Sequence, residues 1–304
     1  MLRIAILALA WPVLAIAAAP LPTPAVDHHQ HLLTVAMAVP GQLPIDARAM
    51  VDMLDAAGIR RAVLLSNAFR LDDYAAVVAE NNWTVREAAK YPKRLVAFCS
   101  FGPLKDYALA ELERCARDRR FGRGIKLQLG YSQVNLDDPA EIALLRRVFR
   151  AANAHGMAIV IHLRTARDYA FGAAQAHIVI DELLPVAPDV PVQIAHFAGG
   201  GNYPDVPADL ALLAFESAIV AQDPRVKNLY FDTALVAPAN LPPERAEFIA
   251  QRIRVLGVKR ILYGSDGGDP TDPPAKEQLA AFRKLPLTAA EFRAIFSNVA
   301  PWLK

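Results

Sequence analysis

The sequence predicts one α/β domain built as a closed (β/α)8 barrel, the TIM-barrel fold. The chain has 304 residues, of which 54% are hydrophobic and 21% charged, which suits a single large globular domain. From residue 25 onward, eight short apolar runs alternate with amphipathic segments. Runs such as Ile159-Val160-Ile161 are apolar on both faces, as parallel strands covered by helices must be. A doubly wound open sheet is the alternative, but it needs a Gly-rich phosphate turn after the first strand, and the sequence has none there.

Eight segments are predicted strands because they are short, apolar and rich in β-branched residues. They are Ala25–His31, Arg61–Asn67, Leu95–Phe101, Gly124–Leu129, Ala158–Leu163, Val192–Phe197, Asn228–Thr233 and Arg260–Ser265.

The segments between the strands show helical spacing of apolar residues. Gly58 and Gly156 stand where a helix prefers to end, just before the second and fifth strands. The clearest predicted helices are Asp46–Ala57, Tyr74–Lys90, Ala108–Arg119, Ala140–Ala154 and Pro243–Leu256.

The first 19 residues are predicted to be a signal peptide, so that the barrel domain takes residues 20–304. Arg3 gives a positive start, residues 4–19 are apolar, and Ala15-Ile16-Ala17 offers a small-x-small cleavage site. An apolar run of about 16 residues, interrupted by Pro12, is short for a membrane span. We therefore expect a periplasmic or secreted protein with no stable membrane insertion after cleavage.

The net charge bears on nucleic-acid binding, and the cysteine content bears on disulfide formation. The net charge of +2 gives no electrostatic footprint for nucleic acid. Cys99 and Cys115 are the two cysteines, and an exported chain could oxidise them, although two buried thiols are an equal alternative.

The first predicted strand ends in Asp27-His28-His29-Gln30-His31. Because side chains alternate along a strand, Asp27, His29 and His31 are predicted to share one face, and His28 and Gln30 the other. Two histidines on one rigid face can chelate a metal ion. A surface histidine cluster is the alternative, because a His-x-His pair alone is a weak pattern.

Polar residues also stand where three other predicted strands end. His162 is near the end of the fifth strand, His196 near the end of the sixth, and Asp266 follows the eighth. In a closed barrel these ends meet around one rim, where barrel enzymes carry their active sites. Each histidine alone could be a core residue, but the set with Asp266 predicts a metal site.

This pattern, Asp27-x-His29-x-His31 followed by His162, His196 and Gly264-Ser265-Asp266, resembles the amidohydrolase superfamily. More narrowly it is similar to the amidohydrolase-related group, which includes lactonases, hydratases and metal-dependent decarboxylases. The resemblance implies a TIM barrel of the metallo-dependent hydrolase type and covers essentially the whole mature chain. Further matching stretches are Glu80-Asn81-Asn82-Trp83, Tyr91-Pro92-Lys93-Arg94-Leu95, Gly124-Ile125-Lys126-Leu127, residues 195–200 and Ser297-Asn298-Val299-Ala300.

The resemblance implies that His29, His31, His162 and Asp266 hold one divalent metal ion. Imidazole and carboxylate suit Zn²⁺, and Mn²⁺ is the alternative. The ion would lower the pKa of a water molecule from about 15.7 toward 7. Asp266 is also predicted to take the water's proton and pass it to the leaving group. His196 is predicted to act on the substrate, as in single-metal members, and would be a ligand if two ions bind.

Three cationic side chains are predicted to contact substrate: Arg70, Arg164 and Lys126. Either arginine could bind a carboxylate through paired hydrogen bonds, although a solvated loop arginine is the alternative for each. In two-metal relatives a carboxylated lysine on the fourth strand bridges the ions. Lys126 stands early in that strand, with Gln128 still to follow, and is predicted to lie too deep to bridge. One metal is therefore favoured.

Two carboxylates are predicted to support the site. Asp27 is expected to form hydrogen bonds behind the ligands. Asp232, at the end of the seventh strand, is expected either to line the pocket or to bind nearby backbone.

The leading functional prediction is an exported metal-dependent hydrolase of a small carbonyl substrate, such as a lactone, ester or amide. A metal-dependent decarboxylase of the same architecture is the alternative. The retained His29, where related decarboxylases can carry Glu, and the export signal both favour hydrolysis. The third hypothesis is a non-catalytic, metal-containing binding protein. Substrate identity and assembly into a homo-oligomer are left open by the sequence.

Overall fold

Eight parallel strands form the centre of the computed structural model, which describes residues 21–201, 205–268 and 272–303. The strands pair in sequence order from first to last. The His28 N–H donates to the Tyr263 carbonyl, and the Asp266 N–H donates to the His29 carbonyl, both at 2.8 Å. These bonds connect the first strand to the chain around the eighth. The predicted TIM barrel is confirmed. The strands are β1 Asp27–Gln30, β2 Ala62–Leu65, β3 Leu95–Ser100, β4 Gly124–Gln128, β5 Ala158–His162, β6 Val192–Ile194, β7 Leu229–Asp232 and β8 Ile261–Leu262.

The helices cover the outside of the strands. The Asp46 carboxylate accepts a hydrogen bond from the Ala49 amide and so caps the start of the first helix. That helix ends at Gly58, as predicted, and the Gly58 backbone is in the left-handed conformation. All five predicted helices are present within two residues at each end. Four further ones, α5, α6, α8 and α9, were not singled out from the sequence. The helices are α1 Ala47–Ala57, α2 Tyr74–Ala89, α3 Ala108–Arg117, α4 Pro139–Ala154, α5 Ala173–Ile178, α6 Val206–Val220, α7 Pro243–Leu256, α8 Ala275–Phe282 and α9 Ala289–Ser297.

Two apolar clusters hold these layers together. The larger one lies between the strands and the helices. The smaller one contains Val63, Leu65, Phe98 and Val160 from the second, third and fifth strands, together with Val26, which directly precedes the first strand. Strand residues alternate between the two clusters, as expected when one side faces the helices and the other faces the barrel axis. The polar residues at the ends of the strands are therefore supported by a packed apolar core.

Several strands end earlier than predicted, and the departures in the sixth and the first strand affect the site. β6 stops at Ile194 rather than Phe197, because the backbone turns left-handed at His196. In β1, the pairing register with β2 shifts between Asp27 and Gln30. The Gln30 amide donates to the Asp27 carboxylate at 2.8 Å, although simple alternation placed the two on opposite faces. The alternation rule fails here because the strand is irregular.

The structure also pairs the two cysteines. Cys99 of β3 and Cys115 of α3 form a disulfide, with their Cα atoms 6.2 Å apart. The predicted signal peptide, residues 1–19, lies outside the described residues. Within the described segments, no helix combines the length and the apolar character that crossing a bilayer requires.

Candidate metal centre

A cavity of about 230 Å³ opens at the C-terminal ends of the strands. Its wall includes every residue predicted as a metal ligand, catalytic group or substrate contact except Arg164, and neither of the supporting carboxylates Asp27 and Asp232 lines it. A larger cavity lies among the N-terminal ends of the first strands, but no histidine lines it. In TIM barrels the C-terminal rim is the end that carries chemistry. The wall of the smaller cavity includes His29, His31, Asn67, Phe69, Arg70, Lys126, Gln128, Tyr131, His162, His196, Asp266 and Asp272.

Three imidazoles converge on the Asp266 carboxylate. The Nε2 atoms of His29 and His31 lie 3.7 and 3.6 Å from Oδ1, and Nε2 of His196 lies 3.8 Å from Oδ2. Ligand atoms each about 2.1 Å from a tetrahedral ion lie about 3.4 Å apart. The spacing and the chemistry of these donors therefore fit a small divalent cation.

His162 lies beside this group, with its ring centroid 5.0 Å from that of His196. Among the described residues, His29, His196 and Asp266 form one of two sets whose ligand atoms all lie within 4.8 Å of one another. The other set is Cys99, Glu111 and Cys115, in which the two cysteines are joined by the disulfide. His196, predicted to act on substrate, thus has the geometry of a ligand as well. Which of the two histidines completes the ligand set stays a prediction.

Asp232 fixes the orientation of the His29 ring. Its carboxylate lies 2.9 Å from His29 Nδ1 and accepts hydrogen bonds from the Gln193 amide at 2.6 Å and from the His196 backbone at 3.0 Å. Burial opposes ionisation of Asp232, but the His29 imidazole and these donors hold its pKa far below its usual range. A carboxylate at Nδ1 leaves Nε2 of His29 facing the cavity.

The protonation states of three histidines and of Asp266 favour the binding of a cation. Burial lowers the pKa of His196 to about 4 and the pKa values of His31 and His162 well below their usual range, so these rings are neutral near pH 7. Burial opposes ionisation of Asp266, but His29, His31 and other neighbours lower its pKa far below its usual range. His31, His162 and His196 therefore present neutral nitrogens and Asp266 an ionised carboxylate, the forms that bind metal.

The backbone is left-handed at two of the positions that carry these groups. Asp266 has φ 58°, and His196, Phe197 and Ala198 have φ 54°, 50° and 64°. This region is costly for residues other than glycine, and such strain concentrates at functional sites. Beyond Asp266, a side chain at Gly268 would collide with the backbone of His31, so glycine is required there.

Lys126 reaches further than the sequence indicated. Its Nζ lies 3.1 Å from His29 Nε2, inside the group of imidazoles, and the residue is 1% exposed. Lys126 is buried and lines the cavity, and the prediction that it lies too deep to bridge two ions stays a prediction. Its Nζ nevertheless reaches a ligand nitrogen, because a lysine stem extends several ångströms beyond its own strand position. Burial lowers the pKa of Lys126 to about 8, against the attraction of Asp266 and Asp232.

Of the two arginines predicted to contact substrate, one lines the cavity and the other does not. The Arg70 guanidinium lies in the cavity wall, over the rings of Tyr131 at 5.0 Å and Phe69 at 5.7 Å. Arg164 instead forms an ion pair with Asp205 at 2.6 Å and is not part of the cavity wall. Its predicted contact with substrate is therefore not supported by its position.

Asp27 lies behind the ligands, as predicted, and is fully buried. Its carboxylate accepts hydrogen bonds from Ser265 Oγ at 2.6 Å and from the Ser265 amide at 3.1 Å. Burial raises its pKa to about 6. Because Ser265 directly precedes Asp266, this contact ties the start of β1 to the ligand that follows β8.

Asn67, Gln128 and Tyr131 are among the cavity residues for which the sequence predicted no role. Asn67 and Gln128 stand at the ends of the second and fourth predicted strands, and the rule that found the histidines would have found them. Tyr131 lies in a loop after β4 and is 58% exposed. No local pattern in the sequence places its ring beside Arg70.

Comparisons with known proteins identify the family. The family model described as Amidohydrolase matches residues 26–300. A search of curated proteins gives no match.

Solved structures share the fold. A 2,6-dihydroxybenzoate decarboxylase from Rhizobium is 19% identical, with a TM-score of 0.63 over 90% of this chain and 96% of its own. A probable 2-pyrone-4,6-dicarboxylic acid hydrolase from Acinetobacter baumannii, with citric acid bound, is 16% identical, with a TM-score of 0.60 over 90% and 96%. A 5-carboxyvanillate decarboxylase from Novosphingobium aromaticivorans, with bound manganese, is 15% identical, with a TM-score of 0.62 over 91% and 95%.

Proposed function

Because the chain belongs to the amidohydrolase family, we propose that it is a metal-dependent hydrolase of a small carbonyl substrate such as a lactone, ester or amide. The observation that carries this proposal is the convergence of three imidazole Nε2 atoms to within 3.6–3.8 Å of the Asp266 carboxylate. The cavity of about 230 Å³ suits a small molecule rather than a polymer.

In this proposal His29, His31 and Asp266 hold one divalent ion, with His162 as the fourth ligand. A divalent ion bound there would lower the pKa of a water molecule toward about 7 and polarise a carbonyl. Zn²⁺ suits the nitrogen-rich donors, and Mn²⁺ is the alternative. Asp266 accepts the proton of the attacking water and returns it to the leaving group. His196 acts on the substrate through Nε2 as a hydrogen-bond acceptor, because its Nδ1 donates to the Ala234 carbonyl at 2.9 Å.

A decarboxylase of a small carboxylic acid is the second candidate. It is favoured by Lys126 and Arg70, two cationic side chains in the wall of one cavity, which suit a carboxylate substrate. Of the three solved structures described above, two are decarboxylases of aromatic acids by their names. His29, in the position where related decarboxylases can carry Glu, keeps hydrolysis as the first proposal.

Export through the predicted signal peptide, to the periplasm or the exterior, is part of the proposal. The Cys99–Cys115 disulfide supports it, because such bonds persist in oxidising compartments.

Chelation tests the proposed chemistry. We expect metal-stripped protein to lose turnover of lactones and esters, and stoichiometric Zn²⁺ or Mn²⁺ to restore it. The Asp266→Asn variant should be inactive yet folded, because asparagine tolerates the left-handed backbone at this position. Full turnover by a verified metal-free sample would reject the proposal. Release of carbon dioxide from hydroxybenzoates, with no lactone or ester hydrolysed, would select the decarboxylase.

A further inference from the structure

Positive charge is concentrated at the end of the barrel opposite the candidate metal centre. Seven segments lead from the outer helices back to strands β2 to β8, and in a parallel barrel they meet around the N-terminal ends of the strands. They carry twelve lysines and arginines and three aspartates, a formal charge of +9 in a chain whose net charge is +2. These segments form what we call the basic end: residues 58–61, 90–94, 118–123, 155–157, 187–191, 221–228 and 257–260.

The end that holds the candidate metal centre carries the opposite charge. The eight segments that lead from a strand to the next helix contain, counted along the sequence, four lysines and arginines and eleven aspartates. The near-neutral net charge therefore conceals a strong asymmetry along the barrel axis. Such an asymmetry orients a protein against a charged surface, with the basic end toward negative charge.

Much of the positive charge of the basic end is not neutralised by neighbouring carboxylates. Arg94 is paired with Asp55, and Arg120 with Asp118, each at 2.6 Å. Five exposed cations of this end, by contrast, form no ion pair with a carboxylate in the part of the chain that the structure describes. They are Arg60, Lys93, Arg119, Lys227 and Lys259.

The basic end also contains the cavity of about 680 Å³ among the N-terminal ends of the first strands. Its wall combines cationic side chains with apolar ones. The cations are Arg60, Arg61, Lys93 and Arg94, and the apolar residues include Val26, Ile59 and Val299. A mixed wall of this kind suits an amphipathic anion such as a phospholipid, in which an anionic phosphate adjoins apolar chains.

The chain enters the described structure at the same end. Ala25 lines this cavity, and its N–H donates to the Phe296 carbonyl at 2.7 Å. The predicted signal peptide, with its apolar run at residues 4–19, comes just before this point in the sequence. Because such a peptide enters the membrane during export, the export proposed above would bring the basic end next to a bilayer.

We propose that the basic end docks on a membrane surface that carries anionic phospholipid, and that the candidate metal centre then faces away from the bilayer. Charge complementarity and the position of the predicted signal peptide carry the proposal, and predicted export favours lipid over nucleic acid as the anionic partner. The docking is peripheral and needs no inserted helix. It involves a surface remote from the metal centre and does not depend on the proposed hydrolysis.

Sedimentation with lipid vesicles tests the proposal. The full chain as purified would be mixed with vesicles of phosphatidylglycerol and phosphatidylcholine in equal parts, and with vesicles of phosphatidylcholine alone. We expect binding to the anionic vesicles and not to the neutral ones. Binding should weaken as NaCl rises from about 50 to about 500 mM, because salt screens exposed charges. An apolar leader left on the chain would bind both kinds of vesicle, so the difference between them reports the charge.

Removing charge from the basic end should weaken this binding. The triple variant Arg60→Gln, Lys93→Gln, Lys259→Gln should partition onto the anionic vesicles less than wild type by roughly tenfold or more. The matched control is Lys105→Gln, Arg167→Gln, Lys276→Gln, which removes three exposed cations from the metal-centre end. It should change partitioning by less than about threefold, because charges beyond a Debye length are screened.

Thermal unfolding establishes that each variant is folded, and the double variant Arg119→Gln, Lys227→Gln serves if the first triple variant is not. Hydrogen exchange on anionic vesicles gives the orientation. Amides of residues 58–61, 90–94 and 257–260 should exchange more slowly than in the free protein, and those of residues 163–172 should be unchanged.

Weaker binding of the basic-end variant, with an unchanged control, supports the inference. Equal binding of both variants, equal binding to both kinds of vesicle, no binding to either kind, or protection of the metal-centre end overturns it. Tighter binding to duplex DNA than to anionic vesicles at the same salt concentration overturns it in favour of nucleic acid. None of these outcomes bears on metal-dependent turnover, so the proposed function is tested separately.

Discussion

At the scale of single residues, the site depends on side chains that touch the ligands rather than on the ligands alone. His29 has a carboxylate at one ring nitrogen and an amino group at the other, at 2.9 and 3.1 Å. Its ring is therefore fixed in orientation before any metal binds. By contrast, Nδ1 of His31 is buried and has no hydrogen-bond partner among the described residues. The two histidines of the His-x-His pair are thus held by different means.

We predict that Asp232→Asn weakens metal binding by about 10- to 100-fold, because the amide does not hold the His29 tautomer as a carboxylate does. The measurement is the Zn²⁺ or Mn²⁺ Kd of the metal-stripped protein. Asp46→Asn is the matched control: it is an exposed helix cap at which asparagine serves equally well. Wild-type affinity in a folded Asp232→Asn protein would contradict this role.

At the scale of elements, the chain after β6 stores strain. Three consecutive residues other than glycine, His196 to Ala198, are left-handed, and each costs about 1–2 kcal/mol relative to ordinary backbone. All three are buried. The turn bends the chain away from the strand direction and places His196 Nε2 3.8 Å from Asp266. A regular continuation of β6 would direct the ring elsewhere.

Ala198→Gly should therefore stabilise the protein by roughly 0.5–1 kcal/mol, because glycine adopts the left-handed region without steric cost. Urea unfolding would measure the change. Ala195→Gly is the control, since Ala195 stands outside the left-handed run, and it should destabilise the protein by about the same amount. Destabilisation by both substitutions would argue against strain at Ala198.

At the scale of the whole molecule, the charges buried around the cavity make stability depend on pH. Glu80, on α2, is 6% exposed, and burial raises the pKa of its carboxyl to about 7, against the attraction of Arg70. The unfolded chain releases this proton near pH 4.5, whereas the folded chain keeps it until about pH 7. Stability from this group is therefore full below the lower value, falls across the interval and stays low above it.

Glu80→Gln removes this dependence, since the amide resembles the protonated carboxyl. We expect its unfolding free energy, relative to wild type, to be higher at pH 8 than at pH 5 by on the order of 2–3 kcal/mol. Denaturant unfolding of both proteins in the presence of a chelator would measure it. The exposed Glu113→Gln should show no such change between the two pH values. A parallel shift in wild type and variant would refute the assignment to Glu80.

Much of this architecture is readable from the sequence because its signals are local. Each of the eight observed strands lies within a predicted segment, and hydrophobic periodicity with helix-ending glycines marks most of the helices between them. The polar groups at strand ends could be grouped because a parallel barrel brings those ends to one rim. For the same reason the sequence predicts that His29 and His31 lie close to Asp266, although more than 200 residues separate them from it in the chain.

The sequence by itself determined the barrel and the set of side chains at its C-terminal rim, since the periodicity that marks strands and helices follows from local chain chemistry. Its motifs also carried the resemblance to the family. Only the tertiary structure decided that Lys126, 97 residues from His29, touches its ligand nitrogen, that Arg164 turns to Asp205, and that Cys99 meets Cys115. Side-chain reach and backbone turns such as that at His196 set these contacts. They depend on packing between distant segments, which no local pattern records.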